Sequence, residues 1–215
     1  MLFSTAITVV FTWFFTGNMG VYLSGLSPYF SFAGSLEESY FSQADHAWQD
    51  IERKYQQEVK AKISGVISSY KTGLGAKDRE MIPHWIVEQS RKYGYDPLFL
   101  TALIVTESSF YNWAKSNRGA LGLMQIRLGT GLALATETRI QWEGIPTLLD
   151  PGTNIALGAY YLSKLILRYG DLGLALEAYN HGPTRMDDYL KKGFRPGQYS
   201  RRVFRLYGDL RSESI

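Results

Sequence analysis

Three aspartates, Asp96, Asp150 and Asp171, each stand immediately before a run of apolar residues, and the first two are followed at once by proline. An aspartate carboxylate accepts from the free N–H groups of a first helical turn, where a proline loses no bond, so all three positions are helix starts. The first run passes through Leu98, Phe99, Leu100, Ala102, Leu103, Ile104 and Val105. The second passes through Ile155, Leu157, Tyr160, Tyr161, Leu162, Leu165 and Ile166 to Gly170, and the third leads through Leu174 to Tyr179, where Gly182-Pro183 breaks it. Pro83 fits the first turn of a further helix that ends near Tyr93 at Gly94. From Asp78 on, no stretch alternates apolar with polar residues over the length of a strand, so the spacing predicts an all-α fold. The run after Asp96 is apolar nearly all round, which marks it as buried.

Upstream, Ala44, Trp48, Ile51, Tyr55, Val59, Ile63, Val66 and Tyr70 recur in steps of three or four, one apolar stripe along a helix between Tyr40 and Tyr70. That helix reads either as a stalk or as one whose stripe packs onto the domain that follows, the commoner case for so aromatic a stripe, and Thr72 to Lys77, with Gly73 and Gly75, reads as a linker. Met1 to Leu36 carries no charged side chain and begins with an apolar run from Leu2 to Phe15. A signal peptide, a membrane anchor and a buried core segment compete for it. A signal peptide lacks its basic start here, and an anchor needs about 20 apolar residues, reached only if the run continues to Leu26. The anchor is the reading carried forward. The chain of 215 residues then divides into a hydrophobic anchor or signal segment (1–35), a long amphipathic helix with linker (36–77) and one helical domain of ordinary size (78–215).

Without cysteine the chain has no disulfide and no thiolate metal site, and its three histidines are few for a metal centre. All 23 basic residues lie from Arg53 onward, against 15 acidic ones there, a formal charge of +8. Such a balance favours a polyanionic or carboxylate-bearing partner. No nucleic-acid-binding signature accompanies the scattered lysines and arginines, so nucleic acid is not the expected partner, whereas an acidic cell-wall polymer suits the charge.

The buried run after Asp96 ends in Thr106-Glu107-Ser108-Ser109-Phe110. A carboxyl there meets apolar surroundings and the negative end of the helix, and both disfavour its anion. Its pKa should rise, keeping a proton near neutral pH, as cleavage of a glycosidic bond requires of the group that protonates the leaving oxygen. A glutamate pointing outward from a helix end is the plain alternative, and position alone leaves both open.

E-S-S-F at Glu107–Phe110, S-x-x-G-A-x-G-L-M-Q-I at Ser116–Ile126, D-P-x-x-N-I-x-x-G-x-x-Y-L from Asp150 and A-Y-N-x-G-P from Ala178 follow in order. This series closely resembles the soluble lytic transglycosylases of glycoside hydrolase family 23, over about Ile82 to Tyr207. The resemblance implies a lysozyme-like catalytic domain that cleaves peptidoglycan glycan strands between N-acetylmuramic acid and N-acetylglucosamine, leaving a 1,6-anhydro ring. It implies that Glu107 is the sole catalytic acid and base, that Ser116 binds the muramic N-acetyl group, and that Met124 and Gln125 line the groove. Tyr179 and Asn180 would close the opposite wall, with Tyr199 beside them. No metal or organic cofactor is implied. The expected setting is the cell envelope, with an inner-membrane tether at the N-terminus and the catalytic domain in the periplasm, or export; no protein partner is indicated.

Departures from the pattern concern the groove. Arg127-Leu128 stands where many members have x-P, and His181 follows A-Y-N where a small residue is common. The C-terminal E-T-x-x-Y segment survives only as Arg195-Pro196-Gly197-Gln198-Tyr199, without its glutamate, which puts the wall at Tyr199 in doubt. Glu177 is read as solvated. Two other readings stand beside the transglycosylase: a goose-type hydrolysing lysozyme, which needs an aspartate and a water, and a wall-docking scaffold without useful activity.

Overall fold

The computed structural model describes residues 27–212, with side chains from residue 44 on. The expected anchor falls mostly outside the described residues, and among those described no helix is long and apolar enough to cross a membrane. Two compact units divide the chain, Met1–Ile51 and Glu52–Ile215. Helix α1 (Ser27–Ser68) contributes to both. Within the larger unit its last turns bury Val59, Ile63 and Ile67 in the core, while Tyr55 stays exposed. In the smaller unit Trp48 and Ile51 are exposed too. Within the larger unit the apolar stripe therefore packs from Val59 to Ile67 and not at Tyr55.

Eight further helices follow: α2 (Ala76–Tyr93), α3 (Pro97–Ser108), α4 (Leu128–Thr138), α5 (Ile145–Leu149), α6 (Pro151–Tyr169), α7 (Leu172–His181), α8 (Pro183–Lys191) and α9 (Gln198–Ser212). The three aspartates cap as their positions predict. Asp96 accepts from Leu98 N at 2.8 Å, Asp150 from Thr153 N at 2.7 Å and Asp171 from Leu174 N at 2.7 Å. Helix α2 starts earlier than Pro83 suggests. It opens at Ala76, inside the expected linker, and takes Pro83 into its interior, giving up one backbone hydrogen bond there. Ile82 and Ile86, both fully buried, supply the packing that holds it.

Helix α6 is the hub, touching α2, α4, α5 and α7. Its Ile155, Leu157, Ala159 and Leu162 are fully buried. Helix α3 is buried along most of its length and packs on α9. The hydroxyl of Tyr207 donates to Asp96 at the start of α3 at 2.7 Å, and that of Tyr199 donates to Glu107 at its end. These two bonds fix α9 antiparallel to α3. The only strands among the described residues are β1 (Ala120–Leu121) and β2 (Ile126–Arg127), paired antiparallel as a two-residue ribbon. The fold is all-α, with this ribbon set in the loop that follows Glu107.

Candidate active site

Glu107 lies in the last turn of α3, and the chain leaves it abruptly. Ser109 and Phe110 both take left-handed backbone angles, φ 50° and 57°, an uncommon state for residues with a side chain and one that stores strain. Phe110 is fully buried, and its packing holds the turn that presents Glu107 to a groove of about 890 Å³. That volume is at the upper end of the range of about 300–1,000 Å³ found for ligand sites.

Burial pushes the Glu107 carboxyl up to about 7, while the hydrogen bond from Tyr199 and the charge of Arg202 pull it down. The desolvation expected from its place on an apolar helix is the leading cause. The phenols of Tyr199 and Tyr179 are in turn pushed well above their ordinary value, first by burial and then by the charge of Glu107. Both stay protonated and able to donate.

The groove brings together Glu107, Ser116, Gln125, Tyr179 and Asn180, drawn from three of the four sequence motifs. Ser116 is held by its own loop, its Oγ accepting from the backbone N–H of Ala120 at 3.0 Å and of Arg118 at 3.3 Å. Gln125 has φ 50°, and its amide nitrogen donates to Ala114 O at 3.1 Å and Gly122 O at 2.9 Å. Both partners are carbonyls, which orients the amide. Its own carbonyl oxygen has no protein partner among the described residues and can accept from a ligand.

Met124 does not line this groove. Its side chain is fully buried and lies so close to Gly158 that a Cβ there would fall 2.5 Å from Met124 Cβ. What Met124 offers is its carbonyl, which accepts from the Tyr179 hydroxyl at 2.8 Å. Tyr199 is also buried, 5% exposed, and reaches Glu107 from behind rather than forming a wall. Glu177, read as solvated, is 0% exposed. It sits about 200° around α7 from Tyr179 and faces α9, where Ser200 donates to it from N at 2.8 Å and Oγ at 2.9 Å. His181 lines the groove half-buried, with Nε2 3.4 Å from Glu177 Oε2.

Asn154 carries out a structural role that the sequence reading did not assign. Fully buried on α6, it accepts from Met124 N at 2.7 Å and donates to Leu121 O at 3.1 Å and Leu148 O at 2.8 Å. Gly122, at φ 79°, leaves the space: a Cβ there would meet Asn154 Nδ2 at 2.4 Å. Asn154 is the N of D-P-x-x-N-I, so the motif contained it, but only the fold shows that it ties down the loop bearing Gln125.

The transglycosylase SLT domain model matches residues 84–200, more than half of the chain. The chain belongs to the transglycosylase SLT domain family. Every groove residue named above lies inside the matched stretch. The SLT domain here is 32% identical over 120 residues to a transglycosylase of Enterobacteria phage PRD1, covering 56% of this chain and 42% of the relative. It is 40% identical over 81 residues to membrane-bound lytic murein transglycosylase C of Cronobacter sakazakii, covering 36% and 22%. Among solved structures it is similar to an inactive glutamate-to-glutamine mutant of lytic transglycosylase Slt from Pseudomonas aeruginosa. That match has a TM-score of 0.53 and 29% identity, covering 59% of this chain and 23% of the other. The SLT domain thus has the lysozyme-like all-α fold, and the chain spans less than half the length of these relatives.

Proposed function

We propose that the chain is a peptidoglycan lytic transglycosylase that cleaves the β-1,4 bond between N-acetylmuramic acid and N-acetylglucosamine and leaves 1,6-anhydro-N-acetylmuramic acid. One observation carries the reading: Glu107 is a desolvated carboxyl, its pKa pushed up to about 7 by burial, on the wall of a groove of about 890 Å³. Such a group can give a proton and take one back near neutral pH. It first protonates the glycosidic oxygen, and the bond from that oxygen to the muramic C1 breaks. The acetamido oxygen of the same sugar bonds to C1, so the protein needs no nucleophile. Glu107, now a carboxylate, takes the proton of the C6 hydroxyl; O6 bonds to C1 and displaces the acetamido oxygen. Glu107 ends protonated, and no water is consumed.

Tyr199 donates to Glu107 in either protonation state and steadies the carboxyl through both steps. In this reading Ser116 and the free carbonyl of Gln125 receive the N-acetyl groups, and Asn180 holds the sugar from the opposite wall. Arg118, Arg127 and Arg185 line the same groove, and among the described residues none of them is ion-paired. These cations suit a glycan that carries carboxylates. The relatives named transglycosylase and lytic murein transglycosylase support the reaction. The membrane-bound relative supports an envelope location, with the N-terminus as tether. Alkaline carbonate extraction tests the tether: the full chain stays in the membrane pellet, and its recovery in the supernatant would overturn this part.

The hydrolase reading has one observation in its favour, because the exposed carboxylate of Asp188 also lines the groove and most glycosidases use two carboxyls. Paired substitutions decide between them. Glu107→Gln lowers release of muropeptides from sacculi by about 10³-fold or more. Asp188→Asn leaves the rate within about threefold of wild type. A loss as deep in Asp188→Asn as in Glu107→Gln would overturn the single-carboxyl mechanism.

A further inference from the structure

Glu177 is the one fully buried carboxylate among the described residues, and the mechanism above makes no use of it. A buried charge is tolerated only where it is paired or hydrogen-bonded, and it costs several kcal/mol otherwise. Its two oxygens have different fates. Oε1 accepts twice from Ser200, from the backbone N and from Oγ. Oε2 is buried without a hydrogen bond and faces only the His181 ring at 3.4 Å, so the carboxylate lies between the groove-lining histidine and the start of α9.

The place where Oε1 binds matters. Ser200 is in the first turn of α9, whose N–H groups have no partner within the helix and whose dipole favours an anion. The residue just before it is Tyr199, whose hydroxyl donates to Glu107 Oε1. Besides Glu177, Ser200 Oγ reaches Gly197 O at 3.3 Å, within the same turn, so among the described residues the carboxylate is the partner that ties Ser200 to another helix. Holding Ser200 therefore sets where the Tyr199 ring lies. The fold brings a carboxylate from α7 to the segment that lacks its own glutamate.

We infer that Glu177 is a positioning residue which, by clamping Ser200, holds the Tyr199 hydroxyl on the catalytic carboxyl of Glu107, with His181 as the groove-side cover of its second oxygen. The inference rests on Glu107 being the proton donor, but its effect on Glu107 can be read without turnover. Tyr199 and Arg202 from α9 and Tyr179 from α7 are the titratable groups that act on Glu107. Of these, the bond from Tyr199 is the larger influence drawing its pKa down. If the clamp is released, that bond is lost and the Glu107 pKa moves up. Because the free enzyme needs Glu107 protonated, the alkaline limb of kcat/KM moves up with it.

The test uses the full chain with Glu177→Met, which fills the same space without an acceptor and without a buried charge, and Glu177→Gln, which keeps a carbonyl for Ser200. Carbon-13 titration of the Glu107 carboxyl in ligand-free protein should show its midpoint moved to higher pH in Glu177→Met, in the same direction as in Tyr199→Phe. In the Tyr199→Phe background, Glu177→Met should add nothing further. On sacculi, Glu177→Met should lower kcat about tenfold with KM within about twofold, and Glu177→Gln should restore both the midpoint and kcat. A lower melting temperature with the Glu107 midpoint unmoved would reduce Glu177 to a packing residue and overturn the inference, as would an effect that persists in the Tyr199→Phe background. Should Glu177→Met not fold, Ser200→Ala, which removes one of the two donors, must shift the midpoint the same way but less, and no shift would again overturn it. A wild-type protein that makes no anhydro ends would defeat the proposed reaction and leave the titration result standing.

Discussion

Because burial pushes the Glu107 carboxyl up to about 7 in the folded chain, above the ordinary 4.5 it has once exposed, its ionisation opposes folding. The folded pKa is the higher one, so the group's contribution to stability is fully present below about pH 4.5 and is lost as pH rises through about 7. The difference amounts to about 3 kcal/mol as an upper figure. Glu107→Gln removes that burden, and its melting temperature should exceed that of wild type at pH 8 while the two converge at pH 4. Equal melting temperatures at pH 8 would mean that the carboxyl is well solvated. At this scale the apolar helix before Glu107 suggested a desolvated carboxyl but left an outward-pointing glutamate equally open, and the ordered motifs around it decided between the two. Glu177 was not, because whether a helix residue meets water or another helix depends on where α9 passes. Met124 was misread for a related reason: a residue adjacent in sequence to Gln125 points the other way once Gly158 offers it space.

The loop between α3 and α4 holds Ser116 and Gln125 in place with little regular structure of its own. A two-residue ribbon and the three hydrogen bonds of Asn154 do what a longer sheet would do elsewhere. Asn154→Ala strands a backbone N–H and two carbonyls in the interior, and should cost about 2–4 kcal/mol in urea unfolding. It should also lower activity, since Gln125 rides on the same loop. A cost under about 0.5 kcal/mol, the scale of ordinary surface changes, would contradict the role given to Asn154. The helices themselves were largely readable, because Asp-Pro starts and glycine stops are local signals. Helix α2 shows the limit, since Pro83 in its interior gives a start signal that tertiary packing overrides. The Trp48–Tyr55 part of α1 shows another, since its apolar spacing makes a helix and yet finds no cover in either unit by itself.

At the scale of the whole chain, the core cluster and every groove residue lie within Glu52–Ile215. A chain lacking residues 1–51 should therefore unfold cooperatively with a midpoint close to that of the full chain, and should cleave soluble glycan strands at a comparable rate. Loss of cooperative unfolding would show that the smaller unit is needed for the fold. The groove itself was legible as a set of ordered motifs, but that Asp188 shares it with Glu107 shows only in the assembled walls, and the single-carboxyl chemistry is the part proposed above. The most direct test of that chemistry is mass spectrometry of the muropeptides released when the full chain digests sacculi in water enriched in oxygen-18. The account predicts 1,6-anhydro-muramyl ends that carry no heavy oxygen. Reducing muramyl ends labelled at C1 by a solvent oxygen would contradict it.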